Sequence, residues 1–129
     1  MGFWIFMLLA ALLIPATMIC FGTRFMRRPP DRINAVYGYR TRRSMKSMDT
    51  WRFAHGYFGK LWKTAGWVLL PLTVIAMLFV LGRDEETVGW TGTAVMFAQM
   101  IALLAPVFPT ERALKERFDE SGRKQEDLQ

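Results

Sequence analysis

Three stretches without a charged side chain, residues 1–23, 64–82 and 88–110, decide what this chain can fold into. A helix rises about 1.5 Å per residue, so crossing a hydrocarbon core of about 30 Å takes roughly 20 apolar residues. Each stretch is long enough. A soluble core helix would set polar residues on a helical period, and none of the three does so. The 129 residues leave room for one domain. A content of 52% hydrophobic residues, with 10 Phe and 5 Trp, suits a chain whose solvent is lipid. The expected fold is an all-α membrane protein, one domain over 1–129, with spans at about 2–23, 64–82 and 88–109.

A cleaved signal peptide is the competing reading of the first stretch. It lacks a positive n-region and a small-x-small cleavage site, and its apolar run exceeds the usual ~7–15 residues. Ile19 before Cys20 is too bulky for a lipobox, and Phe6 stands where a myristoylation signal wants Ser or Thr. A retained helix is expected. The single Cys cannot close an internal disulfide, and one Cys with one His makes no zinc or haem ligand set. No cofactor or metal is expected.

Charge orients the chain. Segment 24–63 holds eleven bases against Asp31 and Asp49, a net +9, whereas loop 83–87 is −2 and the tail from Glu111 is −1. By the positive-inside rule the basic segment is cytoplasmic. The N-terminus and the 83–87 loop then lie outside and the 110–129 tail inside, in a multi-pass protein of a bacterial inner membrane. Nucleic acid is the other usual partner of a basic patch. Flanked directly by spans, this one is better matched to the anionic headgroups of the lipid bilayer.

Pro29-Pro30 stops any helix leaving the first span, and 31–43 reads as an ordered loop. Ser44 is a candidate N-cap, with Ser47 and Asp49 in the following turn. From there Met45, Met48, Trp51, His55, Phe58 and Trp62 recur at spacings of three and four, one stripe of a helix. Lys46, Asp49, Arg52 and Lys60 occupy the other side. The expectation is an amphipathic helix at about 44–62 lying in the interface, its stripe in the acyl boundary. Gly56, Gly59 and Gly66 allow either a bend into the second span or close helix packing, and Gly89 and Gly92 give the third span a small-residue face. The third span stops at Pro106 and Pro109. The tail, with Arg112/Glu116 among its four-residue charge pairs, reads as a short solvated helix that frays beyond Gly122.

Chemistry concentrates in the string 32–41. Asn34 can bond its own backbone and fix a turn, and Gly38 can take a positive φ or admit another backbone. Tyr37 and Tyr39 can stack or anchor, and Arg40 can grip a phosphate or carboxylate with two parallel bonds. His55 reads as packing rather than a proton relay, and Met45/Met48 as packing rather than a copper site. No ionisable residue lies within a span, which argues against ion-coupled transport. No nucleophile–base–acid set is visible.

Asn34, Gly38-Tyr39-Arg40-Thr41, Ser44 and Lys46, followed by Trp51 and Gly59, resemble the SdpI family of bacterial membrane proteins. The resemblance covers about 29–82. The family is named for an immunity protein that protects the producing cell from its own secreted toxin, and signalling by holding a transcriptional repressor at the membrane is also implied. Many members carry Pro after the Arg-Thr pair, where this chain has Arg42-Arg43, and the named immunity protein is larger. The resemblance implies a non-enzymatic protein that binds a peptide toxin or regulatory protein, with Asn34, Tyr37, Gly38, Tyr39, Arg40, Thr41, Ser44, Lys46 and Trp51 as candidate binding residues. The alternatives are an enzyme or binding protein for a phosphorylated lipid or small anion held by Arg40, and an accessory subunit of a larger complex. A homo-oligomer fits any of these.

Overall fold

The computed structural model describes residues 2–34, 37–119 and 122–123. Ala35 and Val36 of the string, and the tail from 124 where fraying is expected, lie outside these residues. Four helices account for most of the chain: α1 (Gly2–Arg27), α2 (Met48–Leu78), α3 (Glu85–Leu104) and α4 (Val107–Arg117). Among the described residues three helical stretches are long and apolar enough to cross a membrane: α1, α2 and the run through α3 into α4.

α1 runs as far as Arg27 because nothing before Pro29 breaks it. Pro15 lies inside α1 and Pro71 inside α2, as spans tolerate where neighbouring helices satisfy the freed carbonyl. Phe6, Leu13, Trp90, Phe97 and Phe108 are all more than half exposed, the pattern of a surface solvated by hydrocarbon. At the turn after α2, Gly82 takes φ +83°. Asp84 then caps α3, its carboxylate accepting from the Thr87 amide at 3.3 Å and the Thr87 hydroxyl at 2.6 Å.

Gly22 of α1 and Gly59 of α2 face one another so closely that a Cβ on either would stand 2.6 Å from the other's carbonyl oxygen. Gly66 meets the Pro15 carbonyl and Ile19 in the same way. Of the two roles open to the α2 glycines, Gly59 and Gly66 take close packing; α2 runs through them and through Gly56 without interruption. Deeper in the bundle, the Gln99 amide donates to the Ala11 carbonyl at 2.9 Å and to the Thr73 hydroxyl at 2.8 Å. One polar side chain thereby ties all three spans, a use suited to a medium that offers no water.

The basic end differs from expectation. No separate helix covers 44–62: α2 is a single helix of 31 residues, about 46 Å at 1.5 Å per residue. That exceeds a hydrocarbon core of about 30 Å by roughly ten residues, so about three turns project beyond it. Its N-cap is Ser47, not Ser44, because Thr50 stands at N3 and closes a reciprocal box with Ser47. The stripe is real, but Trp51, His55 and Phe58 are buried against protein. With Phe25 of α1, Tyr39 of the loop and Leu114 and Phe118 of the C-terminal segment, they build a core at that end of the bundle.

The tail also departs from expectation. Pro106 ends α3, and α4 restarts with Pro109 in its first turn, where a missing amide costs little. The Arg112–Glu116 pair is solvated, at 3.2 Å. Leu114 and Phe118 on the other face are buried, and Ser47 donates to the Gly122 carbonyl at 2.8 Å. α4 therefore closes the core rather than standing free in solvent.

Candidate functional site

The loop between α1 and α2 is held by bonds its own residues make. Asn34 forms the expected turn, its Oδ1 accepting from the Tyr37 amide at 2.6 Å and its Nδ2 donating to the Arg32 carbonyl at 3.0 Å. Gly38 has φ +112° and lies against the His55 ring. The next amide, Tyr39 N–H, donates to His55 Nε2 at 2.8 Å, while His55 Nδ1 lies 2.7 Å from the Trp51 carbonyl. An amide can only donate and a carbonyl only accept, so the proton sits on Nδ1 and the ring is neutral. Trp51 Nε1 donates to the Pro30 carbonyl at 2.9 Å, fastening the loop's other limb.

A second set of bonds closes 39–50. The Ser44 hydroxyl accepts from the Thr41 amide at 2.9 Å and lies 2.9 Å from the Tyr39 carbonyl, to which it donates. Thr50 Oγ1 donates to the Ser44 carbonyl at 3.0 Å. Ser44 is thus spent on the turn, which is why it is not free to cap α2. The Tyr39 hydroxyl donates to Glu111 Oε1 at 2.7 Å, joining the loop to α4, and Arg43 approaches the same carboxylate at 3.8 Å. Burial, and then the bond to Glu111, pushes the Tyr39 phenol well above its ordinary value.

This latch has a measurable consequence. Tyr39→Phe is expected to cost about 1 kcal/mol, the net worth of one hydrogen bond plus a carboxylate left short of a donor. The raised phenol pKa means this stabilisation is present in full below pH 10, the ordinary phenol value, and is lost only as the phenol ionises above it. The melting difference between wild type and Tyr39→Phe in detergent should therefore stay constant from pH 7 to about pH 9; a difference that vanishes in that range would refute the assignment.

Five of the nine candidate residues meet around one space. Tyr37, Gly38, Tyr39, Arg40 and Thr41 line a groove of about 450 Å³, whose remaining wall is Thr17, Phe21 and Phe25 of α1, Phe58 and Trp62 of α2, and the start of α4. Arg40 is exposed on its rim, with Nε donating to the Asn34 carbonyl at 3.1 Å. No described carboxylate pairs with its guanidinium. Ser44 and Trp51 are buried and serve the loop, and Asn34 positions Arg40. Lys46 lies elsewhere, in a cleft with Arg42, Arg43 and Glu111. Among the described residues no group of His, Cys, Asp and Glu could hold a metal ion.

Two participants were not singled out in the sequence. His55 reads there only as packing, yet it is the acceptor on which the loop is hung. Glu111 reads as part of a solvated helix; the signal that α4 docks is Val107, Leu114 and Phe118 at spacings of seven and four, one apolar face.

Residues 31–110 match the model of the SdpI/YfhL protein family. The chain belongs to that family. The match begins at Asp31 in the loop and ends at Thr110, one residue before the glutamate that Tyr39 binds, so the SdpI/YfhL unit comprises the loop, α2, α3 and the entry to α4. It reaches beyond the 29–82 of the sequence resemblance. The uncharacterized protein YfhL of Bacillus subtilis (strain 168) is 39% identical over 66 residues, covering 50% of this chain and 60% of that protein. The shared stretch is thus less than two thirds of that relative. No solved structure matches the chain. Family and spans together make this a multi-pass membrane protein.

Proposed function

We propose that the chain binds a peptide segment or protein partner at the membrane, in the manner of SdpI-type immunity and signalling proteins, and that the Arg40 groove receives it. The observation that carries this reading is the groove itself. An aromatic channel with one open guanidinium on its rim suits an apolar peptide bearing a carboxylate, and the hydrogen-bonded loop holds it preformed, so little ordering entropy opposes binding. The basic end faces the cytoplasm by the positive-inside rule. Arg52 and Lys60, on the exposed side of α2, then meet anionic headgroups while the stripe beneath them packs on protein.

Expression in a bacterium sensitive to secreted peptide toxins of related species tests this, alongside photo-crosslinking from position 41. Wild type should protect, or capture a partner through position 41. Arg40→Gln, made to the same level, should lose at least about tenfold in either readout, as removal of a charge-assisted bond implies. Unchanged killing together with no crosslinked partner overturns the proposal.

A second reading, a phosphorylated lipid or small anion held by Arg40, draws on the same guanidinium, with which no described carboxylate pairs. It predicts that Arg40→Ala abolishes binding of the anion in a folded protein; retained binding would eliminate it.

A further inference from the structure

Another cavity, of about 580 Å³, opens at the same end of the bundle, and Arg40 is not among its lining residues. Its charged lining is Arg24, Arg27 and Arg28 at the end of α1, Arg52 of α2, and Asp31. Four guanidiniums and one carboxylate leave a formal excess of three positive charges. No described carboxylate stands within ion-pairing distance of any of the four, and Asp31 itself pairs with none of them. The α1 dipole favours bases in its last turn, which accounts for Arg24 and Arg27. It does not account for Arg52, brought in from the N-terminal end of another helix, where a dipole gives a base nothing. Like charges gathered around one space repel unless an anion occupies it.

We infer that this cavity is a site for a phosphate group carrying two or more negative charges. Guanidinium forks match phosphate oxygens two at a time, and several forks around one cavity can reach different oxygens of the same group. A phosphodiester headgroup has one charge and leaves most of the excess uncompensated, whereas a phosphomonoester or diphosphate comes close to balancing it. Arg24 and Arg27 end a spanning helix, so the cavity lies at headgroup depth and is open to solvent as well. A lipid headgroup and a free phosphate compound therefore share the chemistry it selects. The site is distinct from the Arg40 groove, with Tyr37 the residue that lines both, and the inference stands whether or not that groove binds a peptide.

The test uses the full chain in phosphatidylcholine vesicles carrying equal fractions of phosphatidic acid and phosphatidylglycerol, with inorganic pyrophosphate as the soluble probe. Lipid retained through mild-detergent purification is quantified, and pyrophosphate binding is measured by calorimetry. Wild type is expected to enrich phosphatidic acid over phosphatidylglycerol by about tenfold or more, one charge-assisted bond's worth of discrimination. The double variant Arg24→Gln/Arg52→Gln should lose the preference, while Arg40→Gln and Lys60→Gln keep it. Arg28→Gln alone serves if the double variant does not fold. Tight pyrophosphate binding without a lipid preference supports the site and assigns it a soluble source. Equal retention of both lipids with no pyrophosphate binding overturns the inference, as does a preference that survives loss of Arg24 and Arg52.

Discussion

Gly59→Val is expected to be the most damaging single substitution outside the loop, costing about 3 kcal/mol or more, the upper end of what overpacking a close contact costs. The first added carbon already stands 2.6 Å from the Gly22 carbonyl oxygen, 3.0 Å from Phe25 Cβ and 3.1 Å from the Met26 amide nitrogen. Two of those three atoms are backbone and cannot rotate away. Relief requires that α1 and α2 separate, and the mirror-image approach of Gly22 to Gly59 and Lys63 means the same of Gly22→Val. In lipid no hydrophobic force draws the separated helices back together, since hydrocarbon solvates their faces as well as protein does. Gly56→Ala, three residues earlier on the same helix, is the control: nothing lies within 4 Å of its added Cβ. Relief of glycine's entropy cost should there stabilise by about 0.5–1 kcal/mol. Melting of both variants in one detergent decides the matter, and equal midpoints would show that the close approach is not what holds the pair.

How much of this was legible in the sequence differs by level. The spans were plain because a charge in hydrocarbon is costly, so the absence of charge over 1–23, 64–82 and 88–110 has few other meanings. The stripe from Trp51 to Trp62 was legible as a face but not as to what it meets. Periodicity says a side is apolar, and lipid and protein satisfy it equally; only tertiary structure shows Tyr39, Phe25 and Leu114 in place of acyl chains. Ser44 and Ser47 are both good caps by type. The choice fell to Ser47 because Thr50 is three residues on and because Thr41 and Tyr39 already claim Ser44. Within the site, the turn at Asn34 and the need for glycine at 38 could be argued from residue types alone. The roles of His55 and Glu111 could not, since they depend on partners 16 and 72 positions away along the chain. The arginine cavity was hidden for the same reason. Its bases counted toward topology, and only folding brings Arg52 beside Arg24.

Gly38→Ala should injure the loop as much as Gly59→Val injures the bundle, but locally. At φ +112° an alanine is held in a region that side chains rarely enter, at a cost of about 1–3 kcal/mol. The added Cβ would also stand 2.5 Å from His55 Nε2, the atom that accepts the Tyr39 amide. Moving the ring aside breaks that bond and leaves a buried donor unpaired, a further 1–3 kcal/mol or so. Together they come to about 3 kcal/mol, concentrated on a segment outside the helices, so the loop should open while the helices persist. Trypsin should then cut at Arg40, Arg42 or Arg43 at least about tenfold faster, the factor set by 1.4 kcal/mol of opening, with far-ultraviolet circular dichroism unchanged. Trp51, buried beneath the loop, should shift its fluorescence to the red. Gly82→Ala separates the two causes, because Gly82 has φ +83° but nothing within 4 Å of its added Cβ; it carries the conformational penalty alone. If Gly38→Ala proved no more open to trypsin than wild type, the His55 anchor would not be what holds the loop. If the loop does open, the proposed binding at the Arg40 groove should weaken although Arg40 is untouched, because Tyr39, one of the wall residues, is held there in part by its amide on His55.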